Sequence, residues 1–279
     1  MKKILVPCDF STPAVHAYSF ACQMAKEAQG EVFVMHAFEL PFSYESTFGV
    51  QPYIFDMELL KSIEDKAKEN FKKMRKAVGK AAENQHFEAL HGSITGSILD
   101  QIREKNIDLV VMGTTGASGL SEVLIGSNTE KVVRFSPVPV LSLREGHEAS
   151  DIKNIVLANS LELNQRKFVE KVKDLQAFFG AKLHILYINS LARFKPEEEA
   201  QLLLEDFVKH YTLENYTLNI RNAPFEEEGI IRFVEQTKAD MLAMATHSRR
   251  GLAHLVSGSL AEDIVNHIDC PIWTCTLRD

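Results

Sequence analysis

The chain repeats itself at long range, and that limits what it can fold into. KNIVLANS (153–160) parallels KKILVPCD (2–9), an offset of 151, and AKLHILYI (181–188) parallels GEVFVMHA (30–37) at the same offset. ADMLAMATHS (239–248) parallels IDLVVMGTTG (107–116), and the run from Ser257 parallels the run from Ile125, both at an offset of 132. A period near 140 is too long for a solenoid, so the pattern reads as a duplicated domain joined near 144–151. We take 1–146 and 147–279 as the two units. The offsets differ by 19, which places extra residues in the first half, in the loop FELPFSYESTFGVQPYIFDME (38–58). That loop holds six aromatics, Phe38, Phe42, Tyr44, Phe48, Tyr53 and Phe55. It reads equally as a lid over a ligand and as packing against the other domain.

Within the first half, apolar strand-like runs alternate with helical patterns. Strands are expected at 3–7, 31–38, 86–92, 108–113 and 138–143, and helices at 11–30, 58–83, 96–106 and 127–136. Ser11 or Thr12 can cap the first helix, Pro13 suits its first turn and Gly30 stops it. Alternation of this kind implies an α/β protein with a mainly parallel sheet and helices on both faces.

Composition narrows the function. The formal net charge is −7. Residues 1–145 hold 16 basic and 18 acidic side chains and the remainder 15 and 20, so both halves are mildly acidic. The footprint expected of a nucleic-acid or anionic-membrane binder is absent. No apolar run reaches the ~20 residues that span a bilayer, and the start of the chain lacks a signal-peptide core, so a cytoplasmic protein is expected. Cys8, Cys22, Cys270 and Cys275 match no zinc spacing and read as reduced thiols. Cys270 and Cys275 are expected on one strand with opposed side chains, and Cys8 as a buried thiol rather than a redox centre. His247, His254 and His267 read as surface or packing residues rather than zinc ligands, and the acids 197–199 as a solvated helix start.

The chemistry concentrates in GTTGASGLSEVLIGS (113–127). A strand ends at Gly113 and a helix begins near Ser127. A helix N-terminus offers unpaired N–H groups and a positive dipole end, and glycine lets a backbone approach an oxygen-rich ligand. Ser127 and Thr129 add hydroxyls. Neither a Walker A lysine nor a Rossmann G-x-G-x-x-G is present. Asp9, ending the first strand, can accept from a ribose hydroxyl. Ligands of open parallel sheets sit beyond the carboxyl ends of strands where the strand order reverses, so Asp9 and Gly113 meet there if strands one and four are neighbours.

With Asp9 in place and glycines spaced G-2x-G-9x-G-S, the chain resembles the universal stress protein family, as a tandem of two domains. The resemblance implies two doubly wound domains, each an open five-stranded parallel sheet in order 3-2-1-4-5 flanked by helices. It implies ATP as ligand, with Mg left open. By position, Pro7 and Asp9 would lie at adenine and ribose, Ala37 against the base, and Met112 and Gly113 along the floor. Thr115 and Gly116 would hold the ribose–phosphate turn, and Gly126, Ser127, Asn128 and Thr129 the phosphates; Asn128 is commonly apolar in the family. The last strands would pair between the domains, with a homodimer of chains left open.

In the second half the equivalent run is ATHSRRGLAHLVSGS (245–259), with Ala245 and Ser248 replacing glycines and Ser160 replacing Asp9. Glu226–Glu228 fall at a loop on the same edge and would repel phosphate. The second domain is therefore expected to lack a competent ATP site. Because the repeat keeps its fold without those glycines, a ligand is the expected reason for Gly113 and Gly116. No triad, metal motif or catalytic base is evident, so the reading is a regulatory ATP binder, with slow ATP hydrolysis or autophosphorylation at most. A nucleotide-independent scaffold is the alternative. An adenylating or ATP-pyrophosphatase enzyme would want S-G-G-x-D-S after strand one, where this chain has PCDFSTP.

Overall fold

The structure, a computed structural model, describes residues 1–39, 57–79, 84–114, 127–247 and 267–277. In chain order the first half comprises β1 (Lys3–Pro7), α1 (Thr12–Ala28), β2 (Glu31–Phe38), α2 (Met57–Val78), β3 (Gln85–His91), α3 (Ile94–Lys105), β4 (Leu109–Gly113), α4 (Ser127–Phe135) and β5 (Val140–Leu143). A 3-10 turn at Ala149–Asp151 leads to the second half. There follow β6 (Asn154–Ala158), α5 (Arg166–Phe179), β7 (Lys182–Ser190), α6 (Glu197–Tyr211), β8 (Tyr216–Ala223), α7 (Glu226–Thr237), β9 (Met241–His247) and β10 (Ile272–Leu277).

The strands form one ten-stranded sheet in the order β3-β2-β1-β4-β5-β10-β9-β6-β7-β8. Each half is the expected parallel 3-2-1-4-5 array, and the halves join through one antiparallel pair, β5 with β10. The strands are near-continuous apolar runs because both faces are covered. In the first half Ile4, Val6, Val32, Val34, Leu109 and Val111 face the α1–α2 side. Their neighbours Leu5, Met35, Val110 and Met112 face α3 and α4.

The strand register recovers both sequence offsets. Ile4 pairs with Leu109 in the first half and Ile155 with Met241 in the second. The starts of these strands are tied alike. Asp108 Oδ2 accepts from Lys2 N at 2.7 Å and Lys3 N at 3.0 Å. Asp240 Oδ2 accepts from Lys153 N at 3.0 Å, Asn154 N at 2.7 Å and Asn154 Nδ2 at 3.1 Å.

At the seam Leu141 stands opposite Trp273, flanked by Ser142 opposite Ile272 and Val140 opposite Thr274. Leu141 and Trp273 are also repeat equivalents, since Val140 follows Val110 in register as Ile272 follows Leu242. A pseudo-two-fold axis therefore passes between these two residues, and each domain presents the same strand to the other. Trp273 is 1% exposed, with its ring 6.0 Å from that of Phe168.

Several boundaries differ from expectation. Helix α2 stops at Val78 rather than running to 83, and β5 begins at Val140, after Pro139, which has no N–H to give a ladder. Cys270 precedes β10 instead of sharing a strand with Cys275. Glu226–Glu228 form the first turn of α7 rather than a loop. His247 closes β9, and His254 lies outside the described residues. Most of the aromatic loop lies outside the described residues. Among the described residues no helix is long and apolar enough to cross a membrane, and no group of three or more metal-ligating side chains is gathered.

Candidate functional site

The carboxyl edge of the first half is built around the turn from β1 into α1. Cys8 N donates to Met35 O at 2.8 Å, holding β1 to β2 past the end of the strand. Phe10 takes a positive φ of 65°, and its ring sits 5.0 Å from His36 and 6.3 Å from Phe87. His36 Nδ1 lies 2.8 Å from Cys8 O. These contacts present Asp9, which is exposed. Its Oδ1 accepts from Ser11 N at 2.9 Å and Ser11 Oγ at 2.5 Å. Ser11 in turn caps α1, with Ala14 N donating to its Oγ at 3.5 Å.

Strands β1 and β4 are neighbours, so Asp9 and Gly113 do lie at the reversal of strand order. Pro7 closes β1, half-buried. Met112 belongs to the apolar cluster beneath α3 and α4, and Ala37 packs against that cluster. Thr114, just past Gly113, donates its N–H to Leu143 O at 2.9 Å and is buried. Asn128 is half-buried and Thr129 is 5% exposed, both in the first turn of α4. Ser127 opens that helix, while Thr115, Gly116 and Gly126 lie outside the described residues. The structure thus brings β1, β2, β4 and the α4 N-terminus to one edge.

Gly113 departs from expectation. A Cβ there would stand 2.2 Å from Pro13 O and 2.3 Å from Pro13 C. That is backbone, at a distance no real Cβ tolerates, so the first turn of α1 crossing β4 accounts for this glycine without a ligand. In the second half the crossing is gone. Both helices end at equivalent positions, Ala28 and Phe179, but α1 has 17 residues and α5 has 14. The missing turn leaves room for the Cβ of Ala245.

The second-half edge carries a polar network of its own. The turn repeats: Leu161 takes a φ of 64° and Asn159 N donates to Leu186 O at 3.1 Å. Gln165, 4% exposed, then acts as a plug. Its Oε1 accepts from Asn159 Nδ2 at 2.8 Å, its Nε2 donates to Ser160 Oγ at 3.2 Å, and its N–H donates to Tyr211 OH at 2.8 Å. The sequence reading found Ser160 and missed Gln165 and Tyr211. The change of Cys8-Asp9 to Asn159-Ser160 was the only local signal.

Cys8 is 5% exposed, its Sγ 3.8 Å from Met74 Sδ. Burial pushes its thiol up to about 12, which suits a packing residue and not a thiolate nucleophile.

The sequence matches the universal stress protein family over residues 1–144 and 151–275. Universal stress protein MJ0531 of Methanocaldococcus jannaschii is 32% identical over 145 residues, covering 52% of this chain and 82% of that protein. Universal stress protein Slr1230 of Synechocystis is 22% identical over 297 residues, covering 98% of this chain and 99% of its own. Among solved structures, a universal stress protein from Archaeoglobus fulgidus superposes with a TM-score of 0.78 at 18% identity, covering 98% of both chains. That likeness concerns the fold.

Proposed function

The chain belongs to the universal stress protein family, and from that premise we propose that its first domain binds ATP at the edge between β1 and β4, while its second domain does not. The protein then acts in the cytoplasm as a stress-response regulator, changing shape or partner when loaded. Differential affinity of ATP for two states is the mechanism this requires.

The observation behind the reading is Asp9, an exposed carboxylate fixed by Ser11 at the reversal of strand order and level with the end of β4. The remaining groups fit an adenine nucleotide. Ala37 and Met112 supply apolar surface for the base. Asn128 and Thr129 in the first turn of α4, together with its N–H groups, suit phosphate oxygens. Thr115, Gly116, Gly126 and Ser127 complete the set by position in the sequence. No residue is assigned as a base for hydrolysis. In the second domain the equivalent of Asp9 is Ser160, which has a hydroxyl in place of the carboxylate and accepts from Gln165.

Calorimetric titration tests both halves of the proposal. One ATP per chain is expected, with affinity reduced at least tenfold in Asp9→Ala and in Gly116→Val, on the order of the 1.4 kcal/mol or more lost with a charged hydrogen bond. No heat with the unaltered protein sinks the ATP reading. Two equivalent sites sink the assignment of the second domain, and sustained turnover abolished by Asp9→Ala makes the protein an enzyme.

A further inference from the structure

The carboxyl edge of the second-half sheet, beyond β7 and β8, presents large apolar side chains to solvent. Leu191 is 79% exposed, Phe194 66% and Phe225 71%. Strands β7 and β8 end side by side, Ser190 opposite Ala223, so Leu191 and Phe225 leave neighbouring strand ends. Arg193 Nε lies 3.8 Å from Glu226 Oε1 and ties the two connections together.

This exposure is imposed by a built turn. Asn189, 5% exposed, donates through Nδ2 to Lys195 O at 2.9 Å and to Asn222 Oδ1 at 3.0 Å. Its Oδ1 accepts from Lys195 N at 2.8 Å, and Tyr187 OH donates to Arg193 O at 3.3 Å. With both ends of 189–195 pinned, Leu191 and Phe194 stay on the outside. Beside Phe225 lies an open groove of about 360 Å³, lined also by Ile231, Arg232 and His267. Exposed apolar groups gathered at one edge, one of them lining a groove, mark an interaction surface.

Charge names the partner's chemistry. The rim carries Glu197–Glu199 and Glu226–Glu228 against Arg193, Lys195 and Arg232, a net charge of −3. Glu197 and Glu198 are exposed at the start of α6. An anionic lipid surface is repelled by this rim, and a second copy of a chain with net charge −7 meets net repulsion as a whole. We propose that this edge docks a basic segment of a partner protein, which seats apolar side chains on Leu191, Phe194 and Phe225 and sets lysine or arginine against the glutamates. The proposal does not depend on nucleotide binding in the first domain.

The test uses the full chain and a short fluorescein-labelled peptide of alternating Leu and Lys pairs, with a Leu/Glu peptide of the same pattern as control, read by anisotropy. Binding of the Lys peptide alone is expected, weakening as salt rises. It should fall about tenfold or more in Leu191→Ser/Phe225→Ser and in Glu197→Lys/Glu198→Lys. Hydrogen exchange should show protection over 190–198 and 223–232. The charge variant leaves the apolar patch intact, so a folding defect in the first variant does not blunt the test. The proposal fails if the unaltered protein does not bind the Lys peptide, if the variants bind it equally, or if protection falls elsewhere. It also fails if the patch instead mediates self-association in sedimentation, or attachment to anionic vesicles.

Discussion

Two edges of one sheet, built from the same repeat, have been finished differently. In the first half α1 begins one turn earlier, crosses β4 at Gly113 and leaves Asp9 exposed. In the second, α5 begins at Arg166, and Gln165 turns inward to satisfy Asn159 and Ser160. The turn between strand and helix is conserved in shape, with φ of 65° at Phe10 and 64° at Leu161. The lesson is that fold and site are separable even within a few residues. The left-handed residue that redirects the chain is kept, while the residues on either side of it differ: Asp9 and Ser11 at one edge, Asn159, Ser160 and Gln165 at the other.

The sharpest way to break this comparison is to exchange the equivalent residues Gly113 of β4 and Ala245 of β9. Gly113→Ala forces a Cβ into the backbone of Pro13 and should cost about 3 kcal/mol in urea unfolding, the upper range for overpacking. Ala245→Gly meets no such constraint and should cost only about 1 kcal/mol. Equal losses would mean that the extra turn of α1 is not what requires the glycine.

A smaller and opposite expectation concerns the feature the halves share. Asp108→Ala and Asp240→Ala should each cost about 1–2 kcal/mol, since each removes charge-assisted bonds to backbone N–H groups. Thermal melts showing a large difference between the two would refute a duplicated clamp.

The least effect at ordinary pH comes from the thiols. Burial pushes Cys8 and Cys270 from 9.0 up to about 12. Both groups stay neutral in the folded chain while their unfolded counterparts ionise. Their contribution is therefore complete below pH 9 and is lost as pH rises from about 9 towards 12. Urea midpoints that hold steady across that window would contradict their burial.

Much of this was readable from the sequence. The offsets of 151 and 132 reappear as strand register because a parallel sheet buried on both faces demands the same apolar runs in each copy. Asp9 and the start of α4 were placed by their position at strand and helix ends. Gly113 was misread because its constraint comes from Pro13, a hundred residues away in sequence, and only the packing of α1 on β4 brings them together. Gln165 and Tyr211 escaped notice for the same reason: a plug is defined by what it touches, and neither residue type announces that. The end of α2 and the place of Cys270 were boundary errors of a few residues, where propensity is weakest.

The Leu141–Trp273 seam has a consequence for inheritance. A pair of identical subunits cannot let one edge drift while the other is held, because a single coding segment specifies both. Here the two partners are stitched into one polypeptide, so substitutions such as Asp to Ser at the second edge affect that edge alone. The stitched pair also cannot exchange members or dilute apart. Every molecule therefore carries the Asp9 edge and the Gln165 edge in fixed one-to-one proportion, a pair of unlike halves by construction at any concentration the cell supplies.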